Sequence, residues 1–127
     1  MIIKTPVSLG ELVDKISILY IKNSNIKDEA KLKLIRDEMD MLIKTLDEHI
    51  LKDKIQIYLD SLIEINSKLW VIEDDIRDCE RRKKFDQKFI ELARSVYFTN
   101  DKRSEVKLNI NNKFGSKIVE VKSYEKY

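Results

Sequence analysis

KIQIYLDSLIEINSKLWVIEDDIRDCERR, residues 54–82, runs without a glycine or a proline and repeats its apolar residues at one spacing. Ile55, Leu62, Leu69 and Ile76 fall seven apart, and Tyr58, Ile65, Ile72 and Cys79 fill the second heptad position. A stripe held over about three and a half heptads predicts one long helix with a coiled-coil-like seam. Upstream, Leu51-Lys52-Asp53 reads as a short turn, with Asp53 as the cap of that helix. Before the turn, Leu32, Ile35, Met39, Leu42, Ile43, Leu46, His49 and Ile50 keep helical spacing and predict a helix from Asp28 to Ile50. A turn that short predicts antiparallel neighbours, so the second and third helices are expected to form a hairpin that serves as the backbone of the fold.

The rest of the chain reads the same way. Ser8 and Glu11 stand as a capping box, Val7 and Leu12 as its hydrophobic staple, and Leu9, Leu12, Val13, Ile16, Leu19 and Tyr20 as the stripe of a first helix that ends at Asn23-Ser24-Asn25. A fourth helix is expected after Phe85, capped by Asp86, with Phe85 and Ile90 as a second staple. Gly115 sits where a left-handed residue would end it. Beyond it, Ile118-Val119-Glu120-Val121 has strand-type residues that could pair with Met1-Ile2-Ile3.

Composition agrees with helices. Only two glycines and one proline occur in 127 residues, too few for the tight turns of a β-sandwich or an α/β fold. The expected class is all-α: a bundle of about four long amphipathic helices in one domain, residues 1–127, with short extended ends. Charged residues make up 38% of the chain, yet the net charge is only +2, which disfavours nucleic acid and anionic membrane as partners. No apolar run approaches the roughly 20 residues of a spanning helix. The stretch before Ser8 is too short for a signal peptide, and one cysteine makes no internal disulfide, so a cytoplasmic protein is expected.

One feature is not ordinary core. Along the fourth helix, Phe89, Ala93, Val96, Asn100, Arg103, Lys107, Ile110 and Phe114 share a face, so apolar residues bracket three polar ones. Along the third, Asn66, Glu73 and Glu80 run beside the seam, and Arg77 continues the line of Ile63 and Trp70. The first adds Glu11, Asp14 and Lys15. Unpaired buried charge is costly, so these groups must pair or stay wet. Two readings stand: an ion-pair network that fixes helix register, or a cleft for a polar or anionic ligand. Arg103 is expected inside, paired with Glu73 first and with Glu11 or Asp14 as alternatives. The ligand-binding candidates are Glu73, Arg77, Arg94, Asn100, Arg103 and Lys107, supported by Glu11, Asp14, Asn66, Trp70, Tyr97 and Asp101.

Other residues offer less. His49, the single histidine, complements the end of the second helix. A di-iron bundle needs Glu-x-x-His, and position 46 is leucine, so no metal and no cofactor is expected. Cys79 reads as a small buried hydrophobe, and Arg81-Arg82-Lys83-Lys84 with Lys88 as a solvated loop, or more sharply as a phosphate contact.

Four segments, PVSLGELVDKISILYIK, INSKLWVIEDDIRDCE, FDQKFIELARSVYFTNDKRSEVK and INNKFGSKIVEVKSYEKY, occur in that order. Together they resemble a small bacterial family of domains of unknown function, the one numbered six-one-six-five. The resemblance covers almost the whole chain, is densest from Leu69 to Tyr124 and weakest through the second helix. Glu120-Val121-Lys122 departs from it, since the pattern carries two acids before the lysine. Its matches include Glu11, Asp14, Asn66, Trp70, Glu73, Arg77, Arg94, Tyr97, Asn100, Asp101, Arg103, Lys107, Ser123 and Tyr124. The family brings no established reaction, only an association of its members with glycosyltransferase and surface-polysaccharide functions.

Three functions are in view. The first is a helical interaction or scaffold module, expected to be a homodimer and to hold a partner protein, linked through the resemblance to surface-polysaccharide synthesis. The second is a small-molecule site for an anionic or sugar-phosphate ligand inside the bundle, with a catalytic role suggested by analogy with small helical mutases. The third, nucleic-acid binding, is disfavoured by the charge balance.

Overall fold

The computed structural model describes all residues, Met1–Tyr127. Four helices hold 74% of them and there is no strand. They are α1 (Leu9–Asn25), α2 (Glu29–Asp47), α3 (Lys52–Arg81) and α4 (Gln87–Phe114). Local chemistry explains most boundaries. Ser8 Oγ accepts from the Glu11 amide, Asp28 from the Lys31 amide and Asp86 from the Phe89 amide, each meeting a donor that a helix start leaves open. Gly115, at φ 67°, ends α4 in the left-handed region, and the Ser116 amide closes back on the Asn111 carbonyl. His49 Nδ1 meets the Thr45 carbonyl at the end of α2. Asp53 does not cap α3: the helix opens at Lys52 behind Leu51, with no side-chain cap, and Asp53 falls within its first turn.

The short α1 is the hub. Extended contacts join α3 with α4 and α1 with each of the other three helices. The expected hairpin of α2 and α3 is therefore not the backbone of the fold; α2 makes extended contact with α1, and its end, at Leu46, joins the same core cluster as Ile55, Leu59 and Leu62 of α3. The antiparallel pair is α3 with α4, joined by the turn at 82–86. Tyr58 near the start of α3 meets Phe114 at the end of α4 edge-on, with ring centroids 5.8 Å apart. The reason lies in α1, whose Val13, Ile16, Leu19 and Ile21 are all buried. A helix apolar on more than one side can separate its neighbours, and heptads on α2 and α3 do not specify which partner covers them.

Length then decides where the core sits. At about 1.5 Å per residue α1 spans roughly 25 Å and α3 roughly 45 Å, so α1 covers only part of α3. The core cluster is Val13, Ile16, Leu46, Ile55, Leu59, Leu62 and Ile110, all at the covered end. Each such side chain contributes about 1.5–3 kcal/mol when fully buried. Further along, Leu69, Ile72 and Ile76 of the same seam are only half-buried, although Cys79 is buried as expected. Past α1, the pair of α3 and α4 continues as a two-helix arm. At its tip Phe85 packs edge-on against Phe89.

Residues 116–127 form no strand with Met1-Ile2-Ile3. They run back along α4, where the Tyr127 ring packs against Tyr97 and Phe98 and its hydroxyl donates to Asp101. No helix is long and apolar enough to cross a membrane.

Candidate functional site

The polar line along α4 does turn inward, and it converges on Asp14 of α1. Asp14 is 1% exposed, in the turn that also buries Val13, Ile16 and Ser17. Arg103 grips it with two hydrogen bonds, Nε to Oδ1 at 2.9 Å and a terminal nitrogen to Oδ2 at 2.5 Å. This bidentate geometry suits a planar guanidinium and carboxylate. Asn66 of α3 donates to Asp14 Oδ1 and to Ser17 Oγ, both at 2.8 Å, and Ser17 donates to the Asp14 carbonyl at 2.6 Å. Three helices thus meet at one carboxylate. The hydrogen bond from Arg103 to Asp14 raises the guanidinium pKa against the opposing effect of burial, with Asp14, Glu11 and Glu120 adding attraction.

Lys107, one turn along α4, is 12% exposed and joins three carboxylates: Glu11 at 2.7 Å, Asp14 at 3.7 Å and Glu120 at 3.4 Å. Glu11 is consequently turned toward Lys107. Helix α4 also serves the start of α1. Asn111 Oδ1 accepts from the Gly10 amide at 2.7 Å, and Ser116 Oγ accepts from the Leu9 amide at 3.2 Å. Gly10 is needed for this approach, because a Cβ there would lie 2.5 Å from the Lys107 carbonyl oxygen. No buried side-chain nitrogen or oxygen lacks a hydrogen-bond partner.

The twelve candidates do not form one site. Glu11, Asp14, Asn66, Arg103 and Lys107 form the interior network. Glu73, expected as the first partner of Arg103, is not in it. It is half-exposed on α3, 3.9 Å from Arg77, and Arg103 does not reach it because Asp14, buried on α1, already holds two of the guanidinium nitrogens. Glu73, Arg77, Asn100, Trp70 and the outer edge of Arg103 line a cleft of about 410 Å³ beside the network, floored by Ile18, Ile21 and Leu69. Tyr97 and Asp101 lie on another side of α4, under the C-terminal segment. Arg94 is exposed, its guanidinium 5.9 Å from the Phe98 ring centre.

Sequence reasoning missed Ser17, Asn111 and the C-terminal contacts. Ser17 and Asn111 carried a signal: each lies one helical turn from a polar residue already singled out, Asp14 and Lys107 respectively. Glu120, Lys122 and Tyr127 carried none, since they belong to an irregular segment. The bond from Lys122 lowers the Glu120 pKa, with help from Lys107, and the same bond raises that of Lys122. No family model, curated protein or solved structure matches the chain.

Proposed function

We propose that this protein is a helical interaction module that works as a homodimer and presents its helices to a partner protein. The observation that carries this is excess surface. A compact 15.1 kDa monomer should expose about 7,100 Å², whereas this chain exposes 9489 Å². That excess, roughly 2,400 Å², is larger than the ~800 Å² that each partner gives to a standard interface. Part of it lies in the extended ends and part in the two-helix arm. α2 adds to it, because α1 is the one helix with which it makes extended contact. Leu34 and Met41, seven apart on α2, are exposed, and Met39, Leu42 and Ile43 are only half-buried. The test is mass by light scattering at micromolar concentration. A dimer is expected, reduced to a monomer of unchanged helix content by Leu34→Lys with Met41→Lys. A monomeric wild-type protein would refute the dimer.

A second reading has an observation of its own. The cleft between α1, α3 and α4 gathers Trp70, Glu73, Arg77, Asn100 and Arg103 in a volume at the lower end of the range for small-molecule sites. On this reading the protein binds a small polar ligand there. The interior network then acts as its rigid wall.

A further inference from the structure

Within the cleft, charge and hydrogen-bonding capacity select the ligand. Arg103 looks like an anion receptor but is already neutralised, because two of its nitrogens are held by Asp14. Its remaining terminal nitrogen makes only a long contact, 3.4 Å, to Asn100 Oδ1. What is left is two carboxylates, Glu73 and Asp74, against one guanidinium, Arg77. A phosphate or dicarboxylate entering here meets net negative charge. Arg77 and Glu73 stand 3.9 Å apart, too far for a hydrogen bond, so each keeps free capacity. Donors therefore come from Arg77, Asn100 and the edge of Arg103, and acceptors from Glu73 and Asp74. Trp70, Leu69, Ile18 and Ile21 supply an apolar wall.

We infer that this cleft binds a neutral, polyhydroxylated ring, a single sugar unit, seated on Trp70 with its hydroxyls shared between the carboxylates and the Arg77, Asn100 and Arg103 donors. The inference rests on the small-molecule reading above and narrows it. A hydroxyl both donates and accepts, so one ring can satisfy both sets of groups without charge of its own. Its C–H face covers apolar wall that water would otherwise meet. The cleft, about 410 Å³, has room for one such ring.

Trp70 is the single tryptophan, so its fluorescence reports on this cleft. The full-length protein is titrated with glucose, galactose, mannose, rhamnose and N-acetylglucosamine, and separately with inorganic phosphate and succinate. A saturable change with at least one neutral sugar is expected, with Kd on the order of 1 mM. Glu73→Ala and Asn100→Ala should each weaken it about tenfold or more while leaving the melting temperature in place. A response to phosphate or succinate alone would overturn the sugar inference and leave the small-molecule reading standing. Silence toward every probe would overturn both. An undiminished sugar response in Glu73→Ala and Asn100→Ala would place binding elsewhere and overturn the inference.

Discussion

Asp14 is the residue on which the interior depends. It is buried on a helix of apolar neighbours and balanced by Arg103, which remains 28% exposed. Arg103→Met should destabilise the protein by about 3 kcal/mol, because removing one partner of a buried pair strands the other. Lys107, 3.7 Å away, offsets only part of that loss. Glu73→Leu should leave stability nearly unchanged, since Glu73 holds only a long surface pair with Arg77. Adding Asp14→Leu to Arg103→Met should recover some of the loss but not all, because Asn66 then loses one of its two acceptors. Chemical denaturation of the four proteins checks this ordering, and equal losses for Arg103→Met and Glu73→Leu would contradict it.

Tyr127 gives a residue-scale test of the C-terminal segment. Its hydroxyl donates to Asp101, which pushes its pKa up to about 12. The protonated phenol is the bound form and a phenolate would repel the carboxylate. The contribution is thus fully present below the ordinary value of 10.0 and is lost as pH rises through about 12. Tyrosinate absorbance should show one of the five tyrosines ionising late in the wild-type protein. In Asp101→Ala that late step should return toward 10. At the acid end the lowered pKa of Glu120 keeps its pairs with Lys122 and Lys107 intact above the usual carboxylate range, and they are lost as pH falls through the lowered value.

Elements meet here through one close approach. Gly10 is the second residue of α1, where propensity favours alanine by less than the about 1 kcal/mol of a helix interior. Contact with α4 reverses the sign. An added Cβ would lie 2.5 Å from the Lys107 carbonyl oxygen and 3.0 Å from Asn111 Oδ1, so the backbone of α4 would have to move and the Gly10–Asn111 bond would stretch. Gly10→Ala should therefore lower stability by about 2 kcal/mol net of propensity, read as a drop in the midpoint of thermal unfolding. A rise would mean that α1 and α4 are not in close contact. Periodicity made each helix legible because a 3.6-residue repeat is written in the chain itself. It could not assign neighbours. The stripe on α3 would pack on any apolar helix of suitable length, and α1 took that place.

The whole molecule has a dense end and a thin end. Buried side chains gather where α1 is enclosed by α2, α3 and α4, and only 18 of 127 residues are buried, a small core for a chain of this length. Beyond α1, the arm of α3 and α4 and the outer side of α2 keep apolar surface in contact with water. Dimerisation is the proposal at this scale, and it carries a thermodynamic signature besides mass. Association stabilises the folded state by mass action, so the melting temperature should rise with protein concentration. In Leu34→Lys with Met41→Lys it should become independent of concentration. Concentration-independent melting of the wild-type protein, together with a monomeric mass, would remove the module from the dimeric class.

The sequence by itself determined the class, the four helices and most of their ends. Those properties follow from local rules: spacing of apolar residues, caps one turn apart, and the scarcity of glycine and proline. It also marked Asn100, Arg103 and Lys107 as turned inward, because apolar residues seven apart on both sides leave them no other direction. Tertiary structure alone decided their partners. Asp14 and Glu73 looked alike as carboxylates near apolar faces, and only the position and shortness of α1 put one at 1% exposure beside Arg103 and left the other half in water. The path of residues 116–127 was likewise decided by contacts with α4, since an irregular segment has no periodicity from which its neighbours can be read.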